Sequence, residues 1–352
     1  MSDLDTRTAP RRRFWLIVGS ALILAFAVLS VVAVVRGSWT GEHVDGSGTS
    51  TATPAATAPL PEAQAPYSRI DDVTLTVPEE ARFATGSFWG QPGEIYLVTM
   101  DLQSMKPEGS GGRSMYLGVT LSCSPQAGGP GISVGGTQNM LTGETTGYAN
   151  QGLVTVPEGG AIDCSIKVSA PYGDVASNGT TFAIDATWRA ESVDGEAVAA
   201  DEEQLPRTLA AEDDGAVVLT AQLPLAPGDR TVRGLASLHL TTCTGVNGSR
   251  EDGRAWCTER SLDESGSTVQ VELRTDVLDA DGEVCETLGT ETTQPDSIDI
   301  YRHHRLLSLD VAEEVPAQRC GPTVRVTARV FNDGPAPLVV HRSNSSLVVV
   351  GL

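Results

Sequence analysis

The sequence is poor in lysine and in aromatic residues, and it lacks short enzyme motifs in the context that those motifs require. Only two of its 24 basic residues are lysines, and Phe, Trp and Tyr make up 5% of the 352 residues. No C-x-x-C pair is present, which argues against a redox motif or a zinc knuckle. The pattern G-x-S-x-G occurs at residues 131–135 (GISVG), but no long helical period follows it, so it does not have the strand-to-helix context of a nucleophile elbow. Scarce lysine with abundant Ala, Gly and Val is typical of a protein from a GC-rich bacterial genome.

Basic residues are also few in total. The chain carries 45 acidic residues against these 24, a formal net charge of −21. Residues 1–36 hold five Arg and two Asp, so the remainder carries the whole negative excess. Such a charge repels nucleic acid and anionic lipid or wall polymers, and we therefore expect no nucleic-acid partner. Solubility is the simplest role for the charge.

One stretch, residues 14–35, has no charged side chain in 22 residues. As a helix it would be about 33 Å long, enough to cross a hydrocarbon core of about 30 Å. Three arginines (Arg11, Arg12 and Arg13) precede it and only Arg36 follows directly, so the positive-inside rule places the N-terminus in the cytoplasm. The sequence predicts a cytoplasmic tail over 1–13 and a single-pass signal-anchor helix over 14–35 in the cell membrane.

Two alternatives compete with this anchor. A cleaved signal peptide has an apolar region of about 7–15 residues and a small-x-small cleavage site. The run here is longer, and residues 31–36 offer no convincing site. A buried core helix is rarely apolar on every side. A membrane anchor with extracytoplasmic C-terminal domains is therefore the preferred interpretation.

The chain beyond the anchor divides by composition. Residues 36–66 are rich in Gly, Ser, Thr, Ala and Pro and predict a disordered stalk. Period-two alternation of apolar and polar residues then predicts half-buried strands separated by turn clusters. The fold class predicted is two antiparallel β-sandwiches, Ig-like or jelly-roll-like. The predicted segments are a first sandwich over 67–193, an acidic junction over 194–211 and a second sandwich over 212–352.

Nine stretches carry the clearest strand pattern, and in most of them one face is apolar. In the first half, Val98 and Met100 share a face, and so do Leu117, Val119 and Leu121. In the second half, Val217, Leu219, Ala221 and Leu223 form one face. The other stretches lie near residues 162–168, 182–188, 236–242, 269–277, 324–330 and 347–350.

All six cysteines lie in the exported part, where an even number indicates disulfides. We predict Cys123 with Cys164, Cys243 with Cys257, and Cys285 with Cys320. Cys123 and Cys164 both lie on apolar faces, so the prediction has them bridging two sheets across one core. Cys243 lies opposite its strand's apolar face, which favours a local bridge.

Internal duplication would change this pairing. The spacing from Cys123 to Cys164 is 41 positions and that from Cys243 to Cys285 is 42. Strict copies of one domain would pair Cys243 with Cys285 and Cys257 with Cys320. Both sets remain open at this point.

His303 and His304 are adjacent, with Asp299 and Asp310 nearby. Imidazole and carboxylate groups bind metals or relay protons. Adjacent strand residues point to opposite faces, however, so the two histidines should not share one ion. The apolar residues occupy even-numbered positions up to Ile300 and odd-numbered positions from Leu307 onward. This change of face predicts a bulge or bend near residues 302–305. We predict no metal ligand and no catalytic residue at this position.

The remaining candidates are also better explained by structure. Residues 279–283 (DADGE) resemble the start of a calcium loop, but Asp-Gly between alternating strands predicts a hairpin turn. Trp188 follows the apolar parity and should lie in a core. The other aromatic and histidine candidates have no evident partner: Phe88, Trp89 and Trp256 in predicted loops, His239 and His341 in predicted strands, and His43 in the stalk.

The sequence thus predicts no catalytic, cofactor-binding or metal-binding residue, and no cofactor. Its first interpretation is a non-enzymatic binding or scaffold module for another envelope protein or a wall component. The alternative is an envelope hydrolase or a sugar-binding accessory protein acting on wall polymers. A cleft that joins His303 or His304 to acids, or Trp89 and Trp256 on one face, would favour that alternative.

Overall fold

The structure is a computed structural model that describes residues 67–75, 80–106, 114–169, 180–244, 261 and 263–352. The predicted tail, membrane helix and stalk lie outside these residues and stay predictions. Within the described ranges, no helix combines the length and hydrophobicity needed to span a bilayer. The one helical element there is a 3-10 turn at Glu202–Gln204, and the rest of the regular structure is β-strand.

Eight strands form the first pair of sheets. The sheet orders are β1-β8-β3-β6 and β2-β7-β4-β5, and every strand pair is antiparallel. Side chains from both sheets fill one core between them. The strands are β1 (Tyr67–Leu75), β2 (Glu80–Gly90), β3 (Ile95–Met105), β4 (Ser114–Pro125), β5 (Ile132–Leu141), β6 (Thr145–Thr155), β7 (Gly160–Ser169) and β8 (Thr180–Val193).

Eleven strands form the second pair. One sheet has the order β10-β18-β12-β19-β9 with β16 along β12, and the other has β11-β17-β13-β14 with β15 along β13. A second core lies between them. The strands are β9 (Ala197–Ala199), β10 (Arg207–Leu209), β11 (Asp213–Pro224), β12 (Thr231–Thr242), β13 (Ser267–Leu278), β14 (Val284–Thr292), β15 (Asp296–Ile298), β16 (His304–Glu314), β17 (Thr323–Asn332), β18 (Leu338–Val340) and β19 (Ser346–Gly351).

The predicted all-β class with antiparallel sandwiches is confirmed, and the nine alternating stretches all lie in strands. Alternation works because successive side chains point to opposite faces of a sheet. The predicted junction, residues 194–211, contributes β9, the 3-10 turn and β10, and both strands pair into the second sandwich. The division into domains at the predicted positions stays a prediction.

Strand β11 departs from simple alternation at its start. Leu219, Ala221 and Leu223 are buried in the second core, but Val217 is 43% exposed. The register between β11 and β17 shifts between Val217 and Leu219. A β-bulge of this kind inserts an extra residue and reverses the side-chain parity. The prediction that Val217 shares the core face was therefore wrong.

Two of the predicted disulfides are present, Cys123–Cys164 and Cys285–Cys320. Cys243 is also disulfide-bonded, while its predicted partner Cys257 lies outside the described residues. Because Cys285 is bonded to Cys320, the pairing expected for strict copies is wrong.

The prediction that Cys123 and Cys164 bridge two sheets was also wrong. They are directly opposite each other on β4 and β7 of one sheet, with a Cα–Cα distance of 4.1 Å. Cys243 is fully buried against Val339, in a cluster separate from the second core. Its local bridge to Cys257 stays a prediction.

Candidate functional site

The two sandwiches meet along β5 and β6 on one side and β12, β16 and β19 on the other. Polar side chains join them at the centre of this contact. Gln151 Nε2 donates to the carbonyl of Leu235 (3.1 Å) and to Ser346 Oγ (2.9 Å). Ser237 Oγ and Ser308 Oγ each donate to the carbonyl of Ala149 at 2.9 Å. Buried polar groups with such partners rigidify an interface, because breaking one leaves a desolvated group unpaired.

Apolar side chains complete the contact between the sandwiches. Leu306, from β16 of the second sandwich, packs into the core of the first. A separate buried cluster joins Leu97 of β3 to Leu235 and Val348. Leu97 lies on the opposite face of β3 from Val98, so β3 buries both its faces. The two sandwiches therefore share buried surface.

Four histidines gather beside this interface, which we call the histidine cluster: His239, His303, His304 and His341. His239 Nε2 lies 3.0 Å from His304 Nδ1, a hydrogen-bond distance. The ring centroids of His239 and His341 are 4.8 Å apart and stacked, and those of His303 and His304 are 4.7 Å apart and edge-on. Tyr116 of the first sandwich contacts the His304 ring edge-on at 4.8 Å. The cluster unites three separate segments of the second sandwich.

Local turns bring His303 and His304 into the cluster. Asp299 Oδ1 accepts the backbone N–H groups of Tyr301 (2.7 Å) and Arg302 (2.8 Å), which bends the chain between β15 and β16. His304 then begins β16, and its N–H donates to Asn139 Oδ1 of the first sandwich. The predicted bend is thus present. Because His303 precedes the strand, the alternation rule that separated the two histidines does not apply to it.

Burial keeps these four imidazoles neutral. Desolvation lowers the pKa of His239 to about 3, of His304 to about 2, and of His303 and His341 to about 4. Repulsion between the imidazolium forms adds to the depression for His239, His303 and His304. Burial disfavours the charged form of histidine, and the neighbouring histidines would share any positive charge at short range. The cluster is therefore uncharged at neutral pH.

The predicted acids do not join this cluster. Asp299 caps the turn, and Asp310 accepts two hydrogen bonds from Arg233, at 2.8 and 2.6 Å, farther along β16. In the part of the chain that the structure describes, no group of three or more His, Cys, Asp or Glu side chains is arranged to hold a metal ion. His303 Nδ1 is buried without a hydrogen-bond partner. The arrangement is one of neutral, packed imidazoles.

A cleft of about 570 Å³ opens between the sandwiches, behind the loop that follows β18. This loop also contacts the histidine cluster, since Ser345 Oγ accepts the His239 N–H at 2.9 Å. The charged side chains at the cleft are Glu202 and Arg342, whose Oε2 and Nε atoms are 3.4 Å apart. Its aliphatic walls are Ile132, Val134, Leu153, Leu219, Leu347 and Val348.

The other predicted candidates lie apart from the cleft. Trp188 is buried in the first core, as predicted, and its Nε1 donates to the Ala84 carbonyl. Phe88 and Trp89 belong to β2 and not to a loop; Phe88 is buried and Trp89 is 57% exposed. Trp256 and His43 lie outside the described residues.

The DADGE motif forms the predicted turn. Asp279 Oδ1 accepts the N–H groups of Asp281 (2.9 Å) and Glu283 (3.0 Å), and Gly282 adopts a φ of 83°. This positive φ favours glycine. The carboxylate of Asp279 is thereby engaged in closing the β13–β14 hairpin.

Sequence reasoning missed the histidine cluster and the cleft. One signal was present: Ser237, His239 and Thr241 form a polar face on β12 opposite Ala236, Leu238 and Leu240. In the structure these three polar residues are at most 5% exposed, because the first sandwich and the β18–β19 loop cover them. Alternation shows that a face is polar, but it does not show what covers that face.

Comparison with known proteins gives only distant matches. No family model and no curated protein matches the chain. PNGase F, a glycosylasparaginase from Flavobacterium meningosepticum, matches with 9% identity, 82% coverage of this chain, 96% of that chain and a TM-score of 0.37. A tandem CBM22 domain of Paenibacillus barcinonensis Xyn10C matches with 10% identity, 81% and 92% coverage and a TM-score of 0.23. At these scores the superpositions assign neither family nor function.

Proposed function

We propose that this protein is a membrane-anchored, non-enzymatic binding protein of the cell envelope and that the cleft between its sandwiches is the ligand site. The observation that carries the proposal is the cleft of about 570 Å³ with aliphatic walls from both sandwiches. Ligand sites are typically concave, mostly apolar and of about 300–1,000 Å³, and they often lie at domain interfaces. A short aliphatic peptide is the ligand class that fits best.

The walls of the cleft support an aliphatic ligand. They present Ile, Val and Leu side chains, and no aromatic residue lines the cleft among the described residues. Several of the polar groups beside the walls are already engaged: Asn150 Oδ1 accepts from Ser346 Oγ (2.8 Å), and Gln151 Nε2 donates to Leu235 and Ser346. Bound aliphatic groups would gain mainly by leaving water.

The charges of the cleft support a zwitterionic ligand. The side chains of Glu202 and Arg342 are 69% and 51% exposed, and the pair is separated by 3.4 Å. Exposed ion pairs of this kind contribute about 0–1 kcal/mol, so a ligand displaces them at little cost. A peptide ammonium would replace Arg342 as the partner of Glu202, while a peptide carboxylate would engage Arg342.

Titration calorimetry of the purified full-length protein with trileucine tests the proposal. We expect binding, with N-acetyl-trileucine amide about tenfold weaker because it lacks both terminal charges. Arg342→Gln should weaken trileucine to a similar extent, and Arg342→Lys should retain most of the affinity. Ala199→Trp should fill the cleft and abolish binding, whereas Ala280→Trp, at the exposed β13–β14 turn, serves as its matched control.

Two results would refute the cleft as the ligand site. The first is the absence of trileucine binding by a folded protein. The second is undiminished binding by Ala199→Trp.

The alternative enzymatic function lacks a corresponding arrangement. His303 and His304 contact other histidines and Tyr116. Asp310 is engaged with Arg233, and Asp299 closes a turn. We therefore do not propose a hydrolase.

A further inference from the structure

A second concave site lies on the outer face of the sheet β11-β17-β13-β14, away from the cleft. We call it the arginine groove; it has a volume of about 490 Å³ and contains Arg274, Arg325 and Arg329. Asp276 is the one acidic residue of its lining. Glu272, beside this lining, adds a second carboxylate 3.6 Å from Arg329. Three guanidinium groups against two carboxylates leave a locally positive surface on a chain with a net charge of −21. We propose that the arginine groove binds an anionic oligosaccharide bearing carboxylate or phosphate groups.

The guanidinium groups are held in fixed orientations. Asp276 has a side chain only 3% exposed although it lies on the outer face of the sheet. Its Oδ1 accepts from Arg274 Nε (2.8 Å) and from Thr287 Oγ1 (2.7 Å), and its Oδ2 lies 3.5 Å from Arg325 Nη2. A buried carboxylate with these partners positions two arginines before a ligand arrives. Such preorganisation lowers the entropy lost on binding.

The third arginine is held separately. Arg329 Nη2 donates to the carbonyl of Gly215 at 3.2 Å, and its guanidinium carbon lies 5.2 Å from the Phe331 ring centroid. Its Nη1 lies 3.6 Å from Glu272 Oε1. The side chains of Arg274, Arg325 and Arg329 remain 41%, 30% and 35% exposed. They are therefore accessible while their orientations are restrained. Oriented guanidinium groups are well suited to carboxylate and phosphate oxygens.

One feature of the groove lowers stability. The Nε atom of Arg325 is buried and has no hydrogen-bond partner in the described part of the chain. A buried donor without an acceptor costs free energy. A sheet optimised only for cross-strand ion pairs would avoid this cost. The arrangement is more consistent with a binding site, where local stability is commonly sacrificed.

The floor and the sides of the groove favour a sugar over a peptide. Thr220, Thr327 and Gln222 supply hydroxyl and amide groups, and Val217 and Val284 add exposed aliphatic surface. The groove lies over the central strands β17 and β13, which are paired on both sides. An extended peptide would find no open strand edge there to pair with. Hydroxyl groups and C–H faces of a sugar match these side chains directly.

Titration calorimetry of the full-length protein distinguishes the sources of the anion. The probes are tetragalacturonate, phosphorylated maltotetraose, neutral maltotetraose and tetraglutamate. Binding of tetragalacturonate would identify a carboxylate ligand, and binding of the phosphate-bearing glycan would identify a phosphate ligand. Either result supports the proposal if neutral maltotetraose does not bind. Tighter binding of tetraglutamate than of both anionic glycan probes would overturn it, as would the absence of binding by both.

Variants separate an oriented site from general attraction. Asp276→Asn makes the groove more positive but releases Arg274 and Arg325, so we expect about tenfold weaker binding despite the added charge. Arg329→Gln should weaken binding about tenfold as well. Asp101→Asn makes the same charge change on the first sandwich and should have no such effect. Stronger binding by Asp276→Asn would overturn the oriented site.

A measurement on the unmodified protein keeps the test independent of these variants. The Nε–H resonances of Arg274 and Arg329 should shift on titration with the probe that binds. Shifts confined to other arginines would place the ligand elsewhere and overturn the proposal.

Discussion

The two sandwiches fill their cores with different side chains. The first core holds five aromatic residues, Phe83, Phe88, Tyr148, Phe182 and Trp188, together with three methionines. Among the described residues, the second core contains only Leu, Val, Ala and Ile. The first disulfide lies within a sheet and is buried, whereas Cys285 and Cys320 of the second are exposed. Two sandwiches with nearly equal cysteine spacing are thus built differently, which argues against strict duplication.

The two sandwiches also differ in their histidines. All four described histidines belong to the second sandwich, and the sequence has none between residues 67 and 193. The cluster is covered partly by the first sandwich through Tyr116 and Asn139. The second sandwich therefore carries a titratable group of side chains whose neutrality depends on contact with the first.

The largest expected effect is acid destabilisation. The folded pKa values of the four histidines lie at about 2 to 4, below the unfolded value of about 6.5. The unfolded chain therefore binds more protons as the pH falls below about 6.5, so the free energy of unfolding decreases. Near pH 5 the slope approaches about 5 kcal/mol per pH unit for four groups. Urea denaturation between pH 7.5 and 4.5 measures it.

A single substitution provides the control for this acid effect. His303→Gln removes one of the four titrations at a nitrogen that lacks a hydrogen-bond partner. We expect it to reduce the slope by about a quarter. A pH-independent stability between pH 7.5 and 5 would contradict burial of the cluster.

Core substitutions give the next largest effect and test whether the sandwiches unfold together. Phe182→Ala should destabilise the first core by about 3–5 kcal/mol, and Leu273→Ala the second by about 2–5 kcal/mol. Leu306 links the two cores, so both variants should shift one common transition in calorimetry. Two transitions, each shifted by one variant alone, would show that the sandwiches unfold independently.

The disulfides have an expected effect whose upper limit is slightly below that of the core substitutions. Replacing Cys123 and Cys164 by Ala should lower the free energy of unfolding by about 3–4 kcal/mol, since the bond closes a loop with a sequence separation of 41. Under mild reductant, Cys285–Cys320 should open first because its cysteines are exposed. Timed alkylation followed by mass spectrometry measures the order, with alkylation in denaturant as the control. Faster alkylation of Cys123 than of Cys285 would contradict the inference that the first disulfide is the more protected of the two.

The strands were predictable because their signal is local. Alternation in segments such as 115–123 and 324–330 needs only a pleated backbone with one buried face. The same alternation of apolar and polar positions predicted that Trp188 lies in the core and that Cys123 and Cys164 lie on apolar faces. It did not show whether two apolar faces belong to one sheet or to two. The bridge between sheets was therefore mispredicted although the pair was right.

Local pattern determined the β-class of this chain, its turn at Asp279, the bend before β16 and the pair Cys123–Cys164. Tertiary structure decided which distant strands became neighbours. His239, His304 and His341 lie on β12, at the start of β16 and just after β18, and only the pairing of these strands brings the rings together. The cleft and the arginine groove likewise combine residues from several strands. Strand order depends on long-range packing, and a period of two residues carries no information about it.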